Sequence, residues 1–299
     1  IAEIWKFRNR VPIFNKNMAR QSFPKRRFSG IMGKEFTERK MRMDKLRSKK
    51  GYICDMDGVI YHGNLLLDGA AQFVHWLEEN QKKYIFLTNS SERSPRELQE
   101  KLERLGLHVG EEHFYTSALA TAAFLKSQCP SGSAYVIGEA GLVGALYNAG
   151  FSMNDVNPDY VVVGETSSFS YEKILKAVKL VRGGAKLIGT NPDITGPIEN
   201  GIAPATRALI SPIEMTCGKQ AYFVGKPNPL MMRHAQKRLG VKPEDMAIIG
   251  DRMDTDVIAG IESEMDTVLV LSGVTTPEIM NSYPYRPTYV LNGVGDIPD

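Results

Sequence analysis

The residues best suited to chemistry are two aspartates, Asp55 and Asp57, which follow the short apolar run Tyr52–Cys54. Polar side chains placed directly after a buried strand lie at the edge where doubly wound parallel sheets bind their ligands. Two carboxylates so close together repel each other unless a cation lies between them, and oxygen ligands favour Mg²⁺ over zinc. The pair is therefore predicted to hold Mg²⁺, although a turn with a helix cap would use the same residues.

Three later strand ends carry polar residues of other kinds. Hydroxyl and amide donors, Thr88 to Ser91, follow the run Tyr84–Leu87. Lys226 lies between a predicted strand and a helix that begins with proline, and three carboxylates lie within residues 251–256, after the apolar run Met246–Ile249. Taken singly, each segment could be an ordinary turn or helix cap, and a lysine is often merely solvated. Only their combination indicates a site.

The elements that must position these segments alternate regularly from Lys50 onward. Short apolar runs bounded by Gly, Asp, Asn or Pro are separated by amphipathic stretches of about ten to fifteen residues. This alternation predicts the α/β fold class, with a doubly wound and mostly parallel sheet. The predicted strands are Tyr52–Cys54, Tyr84–Leu87, Tyr135–Ile137, Tyr160–Val163, Lys186–Ile188, Tyr222–Val224, Met246–Ile249 and Thr267–Val270.

Capping residues mark the ends of the helices between these strands. Ser94 and Glu97 have the spacing of a capping box, Pro95 takes the first helical position, and Gly106 ends the same helix. The glycines within residues 138–144 are too widely spaced for a dinucleotide-binding fingerprint. They predict instead a helix that packs closely on a strand.

The composition is that of an ordinary globular protein. Of its 299 residues, 42% are hydrophobic and 24% are charged, and the length allows two domains of about 150 residues each. No apolar run approaches the roughly 20 residues of a membrane-spanning helix, so no membrane partner is expected. Cys54, Cys129 and Cys217 lie far apart, which argues against disulfides or structural zinc and predicts a reducing, cytoplasmic location.

A basic leader precedes the alternating elements. Residues 1–50 hold 16 Lys or Arg and 4 Asp or Glu, a net charge of +12, whereas residues 51–299 hold 21 and 30, a net charge of −9. Because the leader shows neither a helical nor a strand period, we predict that it is largely disordered. Three interpretations of the leader stay open. It is a solvated extension, which arises from translation of upstream sequence or from a vector, or it is a targeting segment, or it is an arm that binds nucleic acid.

The four polar segments together resemble the motifs of a known family. D-M-D-G-V, T-N-S-S, G-K-P-N-P and G-D-R-M-D-T-D, in this order, are similar to the four motifs of the haloacid dehalogenase (HAD) superfamily, in its NagD-like and p-nitrophenyl-phosphatase-like branch. The resemblance runs from about Gly51 to the C-terminus. It implies a HAD core domain over residues 51–132 and 221–299, and an inserted α/β cap domain of the C2 type over residues 133–220.

The resemblance implies a role for each aspartate of the motifs. Asp55 would be the nucleophile that forms an aspartyl-phosphate, and Asp57 would protonate the leaving oxygen and then deprotonate the attacking water. Mg²⁺ would be held by Asp55, the backbone carbonyl of Asp57 and Asp251, with Asp256 supporting these ligands. Without the metal, the anionic nucleophile and the anionic phosphate repel each other.

The resemblance also implies which residues bind the substrate. Thr88 and the backbone of Asn89 match the phosphate-binding donors of the family, and Lys226 matches the lysine that offsets charge on the transferring group. The resemblance implies that Asp57 also contacts the substrate. It further implies substrate contacts from the loop beside the metal, which contains Arg252, Met253, Asp254 and Thr255.

Substrate choice is expected to lie in the cap, which must close over the leaving group. The best placed polar residues there are Glu165, Asn191 and Asp193, although ordinary turns would use the same residues. Because members of this branch act on nucleoside monophosphates and other small phosphate esters, the resemblance implies an Mg²⁺-dependent hydrolase of small phosphomonoesters.

One alternative function stays open at this point. The chain could be a regulatory or polyanion-binding protein on a retained phosphatase core, for which the basic leader is the only sequence support. Phosphoryl-transferring mutases share the core motifs, so the cap type alone favours a hydrolase. Other chemistries lack their motifs, since the chain contains neither a G-x-S-x-G elbow nor an H-E-x-x-H zinc motif. The sequence predicts no oligomeric state.

Overall fold

The computed structural model describes residues 28–198 and 201–298, in which strands and helices alternate as predicted for the α/β class. The strands are β1 (Gly51–Cys54), β2 (Tyr61–His62), β3 (Leu65–Leu66), β4 (Lys83–Thr88), β5 (Phe114–Thr116), β6 (Ser133–Ile137), β7 (Ser152–Met153), β8 (Tyr160–Val163), β9 (Lys186–Gly189), β10 (Thr195–Ile198), β11 (Gly201–Pro204), β12 (Tyr222–Phe223), β13 (Met246–Gly250), β14 (Asp266–Val270) and β15 (Tyr289–Leu291). The helices are α1 (Phe28–Arg47), α2 (Ala70–Glu79), α3 (Pro95–Arg104), α4 (Ser117–Gln128), α5 (Ala140–Asn148), α6 (Tyr171–Arg182), α7 (Thr206–Cys217), α8 (Pro229–Leu239), α9 (Ile258–Glu262) and α10 (Pro277–Ser282).

The central sheet has six parallel strands in the order β15, β14, β13, β1, β4, β5. Strand β1 lies in the middle, where Cys54 pairs with Ile249 of β13 on one side and with Phe86 of β4 on the other. All four residues of β1 are buried, as its apolar sequence predicts. Because parallel neighbours end at the same edge, the polar residues that follow β1, β4 and β13 meet there.

Helix α3 begins as its capping box predicts. The Ser94 hydroxyl accepts a hydrogen bond from the backbone N–H of Glu97 (3.3 Å), and the Glu97 carboxylate accepts one from the backbone N–H of Ser94 (2.7 Å). Gly106 follows the helix with a φ of +84°, a conformation that glycine adopts without strain. Among all the helices of the described ranges, none is both long and apolar enough to cross a membrane.

A second sheet of five parallel strands, in the order β12, β9, β8, β6, β7, occupies the segment predicted as the cap. Its edge strand β12 corrects the predicted boundary at residue 220, because β12 pairs with β9 and not with the central sheet. The reason lies in Gly189 of β9, where a Cβ atom would stand 2.3 Å from the Phe223 ring. Only glycine leaves room for that ring. We call residues 133–223 the insert.

The insert has a hydrophobic cluster of its own, in which α6 and α7 pack with β8. Its buried members include Val161, Val163, Ala177, Val181, Ile210 and Ile213. The antiparallel hairpin β10–β11 follows β9 in the chain. This hairpin has no sequence signal, because its strands contain Gly196, Pro197 and Pro204 and lack the apolar runs of the other strands.

Over residues 28–47, the structure differs from the prediction that the leader is largely disordered. Residues 28–47 form helix α1, which is rich in Lys, Arg, Glu and Met, all good helix formers, but has no apolar stripe that a periodicity search could find. Residues 1–27 lie outside the described residues. The body begins at Lys45 and not at Gly51, since Leu46 is fully buried and the Lys49 ammonium lies 2.8 Å from the Asp266 carboxylate.

Candidate active site

The motif residues at the ends of β1, β4 and β13 line one cavity of about 900 Å³. Asp55 follows β1 and is held by its backbone N–H, which donates to the carbonyl of Ile249 (2.8 Å). Thr88 ends β4, and Asp251 follows β13. The sheet order therefore brings together residues that are far apart in the sequence, as the analysis of strand ends predicted.

Three carboxylates lie close together at this end of the sheet, and two of them, those of Asp55 and Asp251, line the cavity. Asp55, Asp251 and Asp256 each offer an oxygen, and these oxygens lie within 4.8 Å of one another. Asp251 and Asp256 are buried. Burial raises the pKa of Asp251, and the neighbouring carboxylate of Asp55 raises it further. Three acids held so closely need positive charge beside them.

Lys226 supplies part of that charge. Its ammonium lies 2.8 Å from the Asp55 carboxylate and 2.7 Å from that of Asp256, and its side chain is only 2% exposed. Burial opposes the charged form of this lysine, but Asp256 and Asp55 outweigh that effect, and the pKa of Lys226 is raised. Lys226 is therefore a permanent cation that holds the Asp55 carboxylate in place.

The donor set fits a divalent cation. Three carboxylates and one lysine leave an excess of negative charge in a partly closed site, and all the free ligand atoms are oxygens, which Mg²⁺ and similar hard cations prefer. The structure places Asp256 in the triad itself, although one of its oxygens is taken by Lys226. The Asp57 carboxylate is not part of the triad.

Two glycines allow the chain to close on Asp251. Gly58 has a φ of +77°, and a Cβ atom there would stand 2.7 Å from the Asp251 carboxylate. A Cβ atom at Gly273 would stand 2.1 Å from the same group, and the backbone N–H of Val274 donates to it (2.7 Å). The loop 272–274 is thus a part of the site that the sequence analysis missed. Its position directly after the predicted strand Thr267–Val270 was the available signal.

The Asp57 carboxylate lines the cavity beside the triad. Burial raises its pKa, against the opposing effects of Lys101 and His62. The His62 ring lies 3.5 Å from this carboxylate. A carboxyl group whose pKa is raised holds a proton more readily near neutral pH, as a general acid must.

Asn89 positions Lys226 through its side chain. Its carbonyl oxygen accepts a hydrogen bond from the backbone N–H of Lys226 (2.7 Å), and its amide donates to the Lys226 carbonyl (3.0 Å) and to Asp193 (3.0 Å). The side chain is therefore occupied, and the backbone carbonyl accepts from Ser117 and Asn191, so the backbone N–H of Asn89 is the group left for a ligand. Thr88 is buried at the cavity wall, and its hydroxyl accepts from the backbone N–H of Ser90 (3.1 Å).

The predicted substrate-binding residues of the loop after β13 lie in different surroundings. Arg252 and Thr255 line the cavity. Met253 does not, because its side chain is buried in a hydrophobic cluster with Val257 and Leu269. Asp254 points its carboxylate at the Arg252 guanidinium, with contacts of 3.1 and 2.9 Å, and is otherwise exposed. The irregular π-helical turn over Met253–Val257 directs these side chains to different sides of the loop, which their spacing in the sequence does not reveal.

Of the three predicted cap residues, Glu165 and Asp193 line the cavity, whereas Asn191 is buried behind it. The Asn191 amide donates to the Asn89 carbonyl (2.8 Å) and to the Glu165 carboxylate (3.1 Å). Glu165 also accepts from the backbone N–H of Ser91 (3.1 Å), so it joins the insert to the core, and burial raises its pKa to about 7. One oxygen of Asp193 is buried without a hydrogen-bond partner in the described part of the chain.

Comparisons with known proteins agree with this site. A family model described as haloacid dehalogenase-like hydrolase matches residues 52–152, and one described as HAD-hydrolase-like matches residues 223–297. The chain is 46% identical to a dihydroxyacetone phosphatase of Corynebacterium glutamicum over 83% of this chain and 90% of that protein. It is 40% identical to the ribonucleotide monophosphatase NagD of Escherichia coli K12, over 83% of this chain and 98% of the relative.

A solved structure gives the same result. The p-nitrophenyl phosphatase from Archaeoglobus fulgidus matches with a TM-score of 0.79 and 38% identity, over 84% of this chain and 98% of that one. The resemblance read from the motifs is confirmed, and so are the predicted fold and the class of phosphomonoester hydrolases. The chain belongs to the family of haloacid dehalogenase-like hydrolases.

Proposed function

We propose that this protein hydrolyses small phosphomonoesters with the help of Mg²⁺ and through an aspartyl-phosphate on Asp55. The observation that carries the proposal is the close triad of Asp55, Asp251 and Asp256 beside Lys226, of which Asp55, Asp251 and Lys226 line a large cavity. A structural role alone would not require three acids, two of them buried, at the one edge of the sheet where ligands bind.

Asp55 is the nucleophile in this proposal. Lys226 holds one of its oxygens at 2.8 Å, so that the other oxygen can attack phosphorus. Mg²⁺, held by Asp55, Asp251 and the backbone carbonyl of Asp57, would neutralise the phosphate and allow the anionic nucleophile to approach it. Thr88 and the backbone of Asn89 orient the phosphate at the end of β4.

Asp57 moves the protons. Its raised pKa lets it carry a proton to the leaving oxygen, after which its carboxylate accepts a proton from the water that attacks the aspartyl-phosphate. The bond from phosphorus to the leaving oxygen breaks in the first step, and the bond from phosphorus to Asp55 breaks in the second.

The insert acts as the cap and covers the leaving group. Glu165 and Asp193 reach the cavity from it, and the unpartnered oxygen of Asp193 is an acceptor for a hydroxyl or amine of the substrate. Two relatives are named for dihydroxyacetone phosphate and ribonucleotide monophosphates, and we propose small metabolites of this size, nucleoside monophosphates among them, as substrates. Three free cysteines support a reducing, cytoplasmic location.

The test is hydrolysis of p-nitrophenyl phosphate with and without Mg²⁺, by the wild type and by Asp55→Asn. The amide is nearly isosteric but cannot attack phosphorus, so the variant should lose turnover while keeping its fold, as checked by circular dichroism. Asp155→Asn is the matched control, because Asp155 is exposed and pairs with Lys176 (3.1 Å) away from the cavity. Near-normal turnover in a folded Asp55→Asn protein would disprove the covalent mechanism.

A further inference from the structure

Two cations of the cavity have no part in the proposed reaction. Arg93, in the loop between β4 and α3, and Lys101, in α3, line the same cavity as Asp55 and Asp57. Within the described residues, neither side chain forms an ion pair or a hydrogen bond. Both residues therefore line the substrate cavity without a salt bridge to a described carboxylate.

Lys101 is held in an unfavourable environment. Its ammonium lies 3.5 Å from the ring centroid of Tyr61, which is itself buried. Burial, and next the like charge of Arg93, lower the pKa of Lys101 to about 8, although Asp57 and Glu92 act in the opposite direction. Two crowded cations destabilise each other until an anion binds between them.

The other cations of the cavity differ in this respect. Lys226 is paired with two carboxylates, and Arg252 is paired with Asp254 through both of its contacting nitrogens. These two residues therefore have little charge left to attract an additional anion. Arg93 and Lys101 remain as the positive charge that a second acidic group would meet.

The loop that carries Arg93 has a fixed backbone. The Glu92 carbonyl accepts a hydrogen bond from the backbone N–H of Gly141 in α5 (3.0 Å). A Cβ atom at Gly141 would stand 2.6 Å from the Arg93 carbonyl carbon, so the two segments approach as closely as glycine allows. The backbone that carries Arg93 is therefore preorganised for binding, while the Arg93 residue itself is exposed.

We propose that Arg93 and Lys101 bind a second anionic group on the substrate, a carboxylate or a second phosphate on the leaving group. The enzyme would then prefer phosphomonoesters that carry such a group over uncharged ones of the same size. The inference rests on the proposed phosphatase function. Since both residues belong to the core, this charge selectivity lies outside the cap, where the sequence analysis had placed substrate choice.

The experiment compares matched substrates. One arm measures kcat/KM for 3-phosphoglycerate and for glycerol 3-phosphate, which differ in the carboxylate. The other arm compares propane-1,3-diol bisphosphate with 3-hydroxypropyl phosphate, which differ in the second phosphate. We expect the wild type to prefer the charged member of at least one pair by about tenfold or more, the size of a charge-assisted hydrogen bond. The arm with the larger ratio identifies the anion.

Variants then assign the preference to the two residues. Arg93→Gln with Lys101→Met should bring the ratio close to one, whereas Arg93→Lys and Lys101→Arg, which keep the charge, should retain most of it. Lys101→Met preserves the stem that packs on Tyr61, and thermal melting checks the fold. Arg96→Gln is the matched control, because Arg96 also belongs to α3 but is exposed, pairs with Glu100 (3.2 Å) and does not line the cavity.

Two results would overturn the inference. One is a wild-type enzyme that hydrolyses both members of each pair at similar kcat/KM. The other is a double variant that loses activity equally on charged and uncharged substrates, which would assign the two cations to general phosphate attraction. A wild type that fails to hydrolyse even p-nitrophenyl phosphate would instead refute the proposed function.

Discussion

Two neighbouring aspartates in the cavity have different surroundings. The Asp55 carboxylate lies 2.8 Å from the buried ammonium of Lys226, whereas burial raises the pKa of Asp57. A nucleophile must be ionised, and a general acid must carry a proton. The two roles proposed for these residues therefore follow from contacts of their side chains and not only from the motif.

Replacing Asp57 by Asn should reveal its role through the leaving group. We expect turnover of glycerol 3-phosphate to fall by roughly 10² to 10⁴, the usual contribution of general acid–base catalysis. The loss should be much smaller for formation of the aspartyl-phosphate from p-nitrophenyl phosphate, because nitrophenolate leaves without a proton. Burst kinetics with both substrates measure this difference. Equal losses in the first step would argue against Asp57 as the acid.

Replacing Asp251 by Asn should weaken metal binding and relieve repulsion among the buried acids. The Mg²⁺ concentration for half-maximal activity should rise by at least about tenfold, as loss of a ligand costs at least as much as loss of a group that supports one. In chelator, the variant should melt at a higher temperature than the wild type, because one of three crowded charges is gone.

Metal exchange complements this variant. Chelation of the wild type should stop activity reversibly, and excess Ca²⁺ should inhibit, because Ca²⁺ tolerates a looser geometry than Mg²⁺. Full activity in chelator, or recovery with Zn²⁺ alone, would show that the oxygen site is wrongly assigned.

The proposed catalytic residues were accessible from sequence because each lies at the end of a buried strand. Asp55, Thr88 and Asp251 needed only the assumption that parallel strands end at one edge. Arg93 and Lys101 were not accessible, since a basic residue at a helix start or on a helix face is ordinary. Only the packing of α3 beside the cavity distinguishes them.

At the scale of elements, Glu165 joins the insert to the core and should make this junction sensitive to pH. Burial raises its pKa from the ordinary 4.5 to about 7. The folded protein therefore binds the proton more tightly than the unfolded chain does. The corresponding stability is complete below about pH 4.5 and is lost as the pH rises to about 7, for a total of about 3 kcal/mol.

Glu165→Gln should remove this pH dependence. Urea unfolding at about pH 5 and about pH 8 gives the change in unfolding free energy between the two pH values. This decrease should be larger in the wild type than in the variant, whose new amide shifts the stability equally at both pH values. Asn191, whose amide contacts the Glu165 carboxylate, should respond in parallel in NMR titration. Identical pH dependence in both proteins would mean that Glu165 stays ionised in the folded state.

Element boundaries were predictable where local chemistry determines them. The start of α3 follows from Ser94 and Glu97, and the predicted strands that became β1, β4 and β13 are apolar throughout. Helix α1 and the hairpin β10–β11 escaped prediction because neither has a matching hydrophobic period. The membership of β12 was misjudged because it depends on Gly189, a contact distant in sequence.

At the scale of the whole molecule, the proposed catalytic residues all lie within the body that begins at Lys45. Deleting residues 1–42 should leave the kcat for p-nitrophenyl phosphate unchanged within about twofold, since no cavity residue among those the structure describes precedes Asp55. If residues 1–50 serve polyanion binding, the full chain should bind RNA with a steep salt dependence that the truncated chain lacks. Loss of turnover in a folded truncated protein would place part of the site in the deleted segment.

A longer deletion provides the contrast. Removing residues 1–50 also removes the buried Leu46, whose carbonyl accepts a hydrogen bond from the Tyr52 hydroxyl (2.7 Å), and the ion pair of Lys49 with Asp266. Loss of one buried leucine typically costs about 2 to 5 kcal/mol. The melting temperature should therefore fall for the longer deletion and stay constant for the shorter one.

The chain leaves the insert at Phe223 and reaches the catalytic Lys226 within three positions. Between them, the backbone N–H of Gly225 donates to the carbonyl of Thr190 (2.7 Å). The side-chain amide of Asn89 forms hydrogen bonds with both the backbone N–H and the carbonyl of Lys226. A chimaera that exchanges inserts between relatives therefore has an asymmetric pair of splice points. The first junction, between α4 and β6, contains no motif residue. The second junction must lie before Gly225, and the new insert must keep a backbone carbonyl at the position of Thr190 to accept the hydrogen bond from Gly225. A chimaera whose second junction follows Lys226 would combine the lysine of one relative with the asparagine of the other, at the position of Asn89.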